Sequence, residues 1–70
     1  MSEPIHVRVN GTSQECAAGS TLAELVAAVT PVRSGVAAAV NETVVPRGRW
    51  AGTALHDGDR VEVLTAVQGG

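Results

Sequence analysis

The sequence predicts an α+β fold in which a mixed sheet of about five strands is covered by one main helix. Segments near both ends of the chain alternate apolar and polar residues, which is typical of half-buried strands. One segment between them repeats its apolar residues at the spacing of a helix. The 70 residues leave room for a single domain, predicted to span residues 1–67, and residues 68–70 are predicted to form a flexible tail.

A hairpin is predicted at the start of the chain. The alternation over residues 5–9 predicts the first strand. Asn10-Gly11 follows, and this dipeptide strongly favours a two-residue hairpin turn because both positions need a positive φ. Residues 12–16 are therefore expected to return as an antiparallel strand.

One helix is predicted after the hairpin, and it is expected to end before Pro31, which cannot continue a helix. Thr21 and Glu24 have the spacing of a capping box, which stabilises a helix start by about 1 kcal/mol. A helix of roughly nine residues is marginal alone in water, so it is expected to pack on the sheet. Its apolar stripe consists of Leu22, Leu25, Val26 and Val29.

Two strands are predicted in the middle of the chain. Residues 35–40 form a continuous run of small apolar side chains, which we interpret as a buried strand. Asn41-Glu42 then predicts a turn into a short strand over residues 43–45. That strand is expected at an edge of the sheet, because Pro46 cannot donate a ladder hydrogen bond.

The last strand is predicted over residues 60–67, directly before the tail. Residues 47–55 show no clear period and predict a loop with a helical turn, and residues 56–59 have the composition of a turn. The first and last strands are the most regularly patterned, so both are expected at the centre of the sheet. In the last strand one face is predicted to carry Val61, Val63, Thr65 and Val67, and the other Arg60, Glu62 and Leu64.

Composition and charge exclude several classes of function. The chain is 44% hydrophobic and 17% charged, which is typical of a globular domain. Its net charge of -2 argues against a nucleic-acid partner, which calls for a basic patch. No apolar run approaches the ~18 residues of a membrane span. The single cysteine and the absence of a secretory signal pattern predict a cytoplasmic location. Without lysine, the chain cannot perform Schiff-base chemistry.

Three polar residue types were considered as sites and are interpreted as structural. Cys16 ends a strand and is interpreted as a small buried hydrophobe rather than a reactive thiol. His6 and His56 have no metal-ligand spacing with each other or with Cys16, so no metal site is predicted. Asp57 and Asp59 are interpreted as turn formers rather than a catalytic carboxylate pair.

The segment after the predicted edge strand carries three further candidates. Arg47 and Arg49 are interpreted as solvated charges, with an acidic partner as the alternative. Trp50 is interpreted as a cap on a small core in preference to an interface anchor.

The terminal Gly69-Gly70 is the candidate functional site. An α-carboxylate has a pKa near 3.3–3.7, so at neutral pH it is ionised and must be activated before a nucleophile can attack it. The chain has no glycine-rich phosphate loop and no P-loop lysine, so a second protein must supply any nucleotide chemistry. Residues 66–70 reach at most roughly 17 Å when extended, and the two glycines keep the tail narrow because they have no side chain. Val67, Gln68 and Gly69 are therefore predicted to enter a partner's active site and to present Gly70.

Several stretches resemble the ThiS family, the β-grasp (ubiquitin-like) sulfur carriers of thiamin thiazole biosynthesis. The resemblance covers residues 5–70, although the chain has a short extension before the first strand and lacks phenylalanine and tyrosine. The pattern VNxxxVPRxxW is the most specific part, because it separates these carriers from those of molybdopterin synthesis. The stretches are VNG at 9–11, CAAGSTLAELV at 16–26, AAAVNETVVPRGRW at 37–50, DGDRVEV at 57–63 and the final GG.

The resemblance implies a protein co-substrate without an active site of its own. Gly70 would be adenylated with ATP by a ubiquitin-activating-like enzyme, ThiF in the family, and converted to a thiocarboxylate with sulfur from a sulfur-donating enzyme. The thiocarboxylate would then deliver sulfur to a thiazole synthase, ThiG in the family. The chain itself would bind no cofactor.

Three alternatives stay open at this point. The chain could carry sulfur for another pathway, such as molybdopterin synthesis. It could be a passive interaction domain of ubiquitin-like shape that uses its sheet surface. The third alternative, a small enzyme working through Cys16, lacks an assignable base and orienting group.

Overall fold

The computed structural model describes residues 3–31 and 34–65, which form a five-stranded mixed sheet with one α-helix packed on it. The predicted α+β class is therefore confirmed. The elements are β1 (Ile5–Val9), β2 (Thr12–Cys16), α1 (Leu22–Val29), β3 (Val36–Val40), β4 (Thr43–Val45), a 3₁₀ helix (Arg47–Gly52) and β5 (Arg60–Thr65).

The first hairpin forms as predicted. β1 and β2 pair antiparallel, with Val9 opposite Thr12. Asn10 and Gly11 have φ values of 51° and 85°, the left-handed conformation that the two-residue turn requires. Nothing lies within 4 Å of where a Cβ of Gly11 would be, so glycine is needed there for its backbone conformation rather than for space.

The capping box also forms as predicted at the start of α1. The Glu24 amide donates to Thr21 Oγ1 at 3.2 Å, and the Thr21 amide donates to Glu24 Oε1 at 2.8 Å. The helix ends at Val29, where the Thr30 amide donates to the Val26 carbonyl at 3.0 Å. Of the predicted stripe, Leu22, Leu25 and Val26 are buried and Val29 is half-buried.

The strand order is β2-β1-β5-β3-β4. β5 pairs parallel with β1 and antiparallel with β3. The last strand therefore occupies the centre with the first strand beside it, as predicted, and β4 lies at an edge. A central strand is held by ladders on both sides, so the element that leads to the terminal glycines is firmly anchored.

The interpretation of β3 as a buried strand is wrong in one respect. β3 is interior in the sheet, between β5 and β4, but only Ala38 is buried and Ala37 is exposed. The reason is that α1 covers a single face, so alternate residues of β3 face solvent. In β5 the same alternation buries Val61 and Val63, whereas Thr65 is exposed at the end of the strand.

The core includes residues from the segment that had no sequence period. Leu55 is 2% exposed, because residues 53–55 run beside the start of α1. The Leu55 amide donates to the Ser20 carbonyl and the Leu22 amide to the Thr53 carbonyl, both at 2.8 Å. The buried residues are Val7, Val9, Leu22, Leu25, Val26, Ala38, Trp50, Leu55, Val61 and Val63.

Trp50 is a core residue, which confirms the structural interpretation of its sequence position. The residue is 6% exposed and belongs to the same apolar cluster as α1 and the sheet. Its Nε1–H donates to the Val45 carbonyl at 2.8 Å. Burial of the indole therefore leaves no polar atom without a partner.

Candidate functional site

The predicted site residues Val67, Gln68, Gly69 and Gly70 lie outside the described residues. The structure describes the strand that leads to them, β5, as far as Thr65. The described residues show how β5 is held in the sheet and which surface lies near its C-terminal end.

Asn10 attaches the hairpin turn to β5. Its Nδ2 donates to the Val63 carbonyl at 3.0 Å, and its Oδ1 accepts from the Val63 amide at 2.9 Å. Its own amide donates to the Val61 carbonyl at 2.9 Å. The side chain thus continues the β1–β5 ladder beyond the last residue of β1.

Asn41 attaches the turn between β3 and β4 to the start of β5. Its Oδ1 accepts from the Arg60 amide at 3.0 Å, and its Nδ2 donates to Asp59 Oδ1 at 3.1 Å. Like Asn10 it has a positive φ, 50°, a conformation that asparagine tolerates better than most residues. Two turn asparagines therefore fix the strand that carries the tail.

We expect Asn10→Gly to lower the free energy of unfolding by about 1–3 kcal/mol, because it removes two hydrogen bonds to β5 and retains a residue suited to positive φ. Asn41→Gly is the matched comparison, since its hydrogen bonds are exposed and should cost less. Urea unfolding of both variants checks this. An Asn41 variant that loses as much stability as the Asn10 variant would contradict the larger stabilising role assigned here to Asn10.

The face of the sheet opposite α1, called here the open face, carries an apolar patch toward the C-terminal end of β5. Cross-strand partners share a face, and the register pairs Leu64 with Ala37 and Val44 with Ala39. These four residues define the Val44–Leu64 patch. Val44 is 71% exposed and Leu64 is 68% exposed, the two exposed large hydrophobic residues of the described ranges.

The other end of the open face is charged. Arg8 and Arg60 are in register on the parallel strands β1 and β5. Arg60 Nη2 lies 3.1 Å from Glu42 Oε2, and both side chains are largely exposed. Such an exposed pair adds little stability because water and salt screen it. Glu62, opposite Ala39 on the same face, borders the patch. The open face is thus apolar toward the C-terminal end of β5 and charged along the rest of that strand.

Two aspartates in the turn before β5, Asp57 and Asp59, each lie beside a histidine. Asp57 Oδ1 accepts from the His6 amide and Asp59 Oδ2 from the His56 amide, each at 2.8 Å, which confirms both aspartates as turn formers. The His6 and His56 rings lie 4.0 and 3.9 Å from these carboxylates. Across residues 3–31 and 34–65, no group of three metal-ligating side chains is close enough to hold an ion.

Cys16 ends β2 and packs against the core, half-buried. Burial, with a smaller contribution from the charge of Glu15, raises the pKa of the Cys16 thiol. The thiol is therefore protonated at neutral pH and a weak nucleophile, which agrees with the structural interpretation.

The two arginines of the 3₁₀ helix differ in their surroundings. Arg47 Cζ lies 5.6 Å from the centroid of the Trp50 ring, a cation–π contact. Arg49 is exposed, and its carbonyl accepts from Thr53 Oγ1 at 2.7 Å.

Sequence reasoning placed Leu64 on the polar face of β5 but did not identify the Val44–Leu64 patch. The sequence signal for this patch was a leucine on a strand face whose other residues, Arg60 and Glu62, are charged. The contribution of Val44 was not visible, because it depends on β3 lying between β4 and β5.

In the part of the chain that the structure describes, no helix is long and apolar enough to cross a membrane.

Comparison with known proteins gives one consistent result. The sulfur carrier protein ThiS of Escherichia coli (strain K12) is 33% identical over 66 residues, which is 94% of this chain and the whole of that protein. The crystal structure of the thiamine biosynthesis protein ThiS from Geobacter metallireducens superposes with a TM-score of 0.77 at 29% identity. It covers 94% of this chain and the whole of the other. A sequence model of the ThiS family matches residues 7–70, so the chain belongs to the ThiS family.

Proposed function

We propose that this chain is a sulfur carrier for thiazole formation in thiamin biosynthesis, and that Gly70 is the residue modified. A partner enzyme joins the Gly70 carboxylate to the AMP moiety of ATP, forming a mixed anhydride and releasing pyrophosphate. A sulfur nucleophile at the oxidation level of sulfide then displaces AMP and leaves a thiocarboxylate on Gly70. The chain is the co-substrate in both steps and supplies no catalytic group, metal or cofactor.

The chemistry follows from the weakness of a carboxylate as an electrophile. The ionised group repels a nucleophile and has no good leaving group, whereas the mixed anhydride with AMP has one. Replacement of oxygen by sulfur then stores a reactive sulfur at the end of a narrow tail. Because the reaction consumes ATP, we place it in the cytoplasm.

The Val44–Leu64 patch is the observation that carries this proposal beyond family membership. It spans β3, β4 and β5, and Leu64 lies on β5, whose last described residue is five residues from Gly70. Five extended residues reach at most roughly 17 Å, so a partner that binds the patch has Gly70 within that distance of the end of β5. An apolar surface of this kind supplies affinity, which compensates the entropy lost when a tail is ordered on binding.

The proposed partners are an adenylating enzyme like ThiF, a sulfur-donating enzyme, and a thiazole synthase like ThiG. The deciding experiment is the intact mass of the chain after incubation with the adenylating enzyme, ATP and a sulfur donor. One oxygen should be replaced by sulfur, and the change should require ATP. An unchanged mass under all conditions would refute the proposal.

We expect Leu64→Glu to slow thiocarboxylate formation at least about tenfold at low concentrations of the adenylating enzyme, because burial of a leucine side chain contributes about 1.5–3 kcal/mol to docking. High enzyme concentration should restore the rate, since the tail is unchanged. Ala28→Glu is the control: it adds the same charge at an exposed position on α1. Equal loss in both variants would mean that charge, not the patch, controls docking.

The patch also suits a second candidate function, a passive binding domain that uses the same surface without tail chemistry. Removal of Gly70 separates the two functions, as argued in the Discussion. A carrier for molybdopterin synthesis is separated by genetics: the proposed function requires rescue of a thiamin auxotroph and not of a molybdenum-cofactor mutant.

A further inference from the structure

An apolar groove lies on the helix side of the molecule, away from the open face. Its volume is about 330 Å³. α1 contributes Ala23, Val26 and Ala27, and the 3₁₀ helix contributes Arg47, Trp50 and Ala51. A concavity of this size accommodates two or three side chains of another molecule.

Arg47 is the one charged residue that lines this groove in the described ranges. Its guanidinium is held over the Trp50 ring, and it forms no ion pair or side-chain hydrogen bond with another described residue. A guanidinium has five N–H donors, so Arg47 can still receive a carboxylate in a bidentate contact. The stacking on Trp50 restricts its position and reduces the entropy lost on binding.

The charge of the groove contrasts with that of the whole chain. The formal net charge is -2, from five arginines and seven acidic residues, whereas the charged residue that lines the groove in the described ranges, Arg47, is positive. The acidic residue on α1, Glu24, is occupied by the capping box at the opposite end of the helix from Pro31. Arg47 therefore places a positive charge at the edge of this groove, which favours an anionic ligand there.

We propose that the groove between α1 and the 3₁₀ helix binds an acidic amphipathic segment of a partner protein. Aliphatic side chains of that segment fill the space between Ala23, Ala27 and Trp50, and a neighbouring carboxylate pairs with Arg47. The groove and the open face lie on opposite sides of the sheet, so both can be occupied together. The inference does not depend on sulfur chemistry, because the described residues that line the groove and the acidic ligand take no part in that chemistry.

Trp50 allows a direct test with the full chain, because it is the sole aromatic residue and its emission reports on the groove. Three capped amphipathic peptides of equal length and leucine content are titrated, with glutamate, glutamine or lysine as their polar residue. The glutamate peptide should change the emission saturably and shift the amide resonances of Ala23 and Ala27. The other two should bind at least about tenfold more weakly, since a charged hydrogen bond is lost.

Two variants and one control assign the effect to the groove. Arg47→Gln should weaken the glutamate peptide about tenfold, whereas Arg49→Gln, with the same charge change outside the groove, should stay within about twofold. Ala27→Glu places a carboxylate in the groove wall and should abolish binding while leaving Arg47 in place, so the test survives if the Arg47 variant fails to fold. Equal binding of all three peptides, no binding of any, or equal loss in the Arg47 and Arg49 variants would overturn the proposal.

Discussion

Deletion of Gly70 should leave the domain folded and lower the rate of thiocarboxylate formation at least about 100-fold, the cost of displacing a reacting group by more than 1 Å. The shortened chain still ends in a glycine carboxylate, now on Gly69. That carboxylate is withdrawn by about 3.5 Å, the length of one extended residue. In the ranges that the structure describes, the buried core residues lie between Val7 and Val63, so stability should be unchanged.

The measurement combines intact mass after incubation with the adenylating enzyme and a thermal unfolding curve of the same sample. Ala28→Glu is the control, because it changes an exposed position on α1 and leaves the tail intact; it should be modified at nearly the normal rate. Modification of the shortened chain at the normal rate would eliminate Gly70 as the reacting residue. A passive binding domain, by contrast, would retain its partner affinity after the deletion.

Trp50→Ala should lower the free energy of unfolding by about 3–5 kcal/mol. A domain of this size has little more than that in total, so the variant should be largely unfolded at room temperature. The reason is threefold: the indole occupies the core between α1 and the sheet, its Nε1–H satisfies the Val45 carbonyl, and Arg47 packs on its face. Circular dichroism and the dispersion of amide resonances report the loss.

Two companion variants separate these contributions. Trp50→Phe keeps an aromatic ring in the core and loses the hydrogen bond to Val45, so it should fold with a smaller loss of about 1–3 kcal/mol. Arg47→Gln removes the cation–π contact alone and should cost less than about 1 kcal/mol at an exposed site. If Trp50→Ala were as stable as Trp50→Phe, the indole would not be a core residue in solution.

The features predicted well from sequence depend on residues close together in the chain. The Thr21–Glu24 capping box spans three positions, and Asn10-Gly11 specifies its own turn through its backbone preference. The periods of two and 3.6 residues identified the strands and the helix because each repeats within one segment. The candidate site at Gly69-Gly70 and its partner enzyme also came from sequence, and both stay predictions, because these glycines lie outside the described residues.

The features that sequence missed join residues distant along the chain. Leu55 has no periodic neighbours, yet it is buried because residues 53–55 run beside Ser20 and Leu22. Asn10 was identified as a turn residue, but its hydrogen bonds to Val63 span 53 positions. β3 was expected to be buried because its residues are small and apolar. Its burial depends instead on how many faces of the sheet are covered, and α1 covers one.

The sequence by itself determined the α+β class, the turns and most of the secondary structure, because local backbone preferences require no knowledge of neighbours in space. The single domain and the chemistry at Gly70 stay predictions. The tertiary structure alone decided that Val44 and Leu64 share a patch, that two asparagines clamp β5, and that Arg47 and Trp50 line a groove with α1. Those arrangements follow from strand order and from the packing of one helix on one face. An alternating pattern specifies which residues share a face, but it does not specify which strand lies beside which.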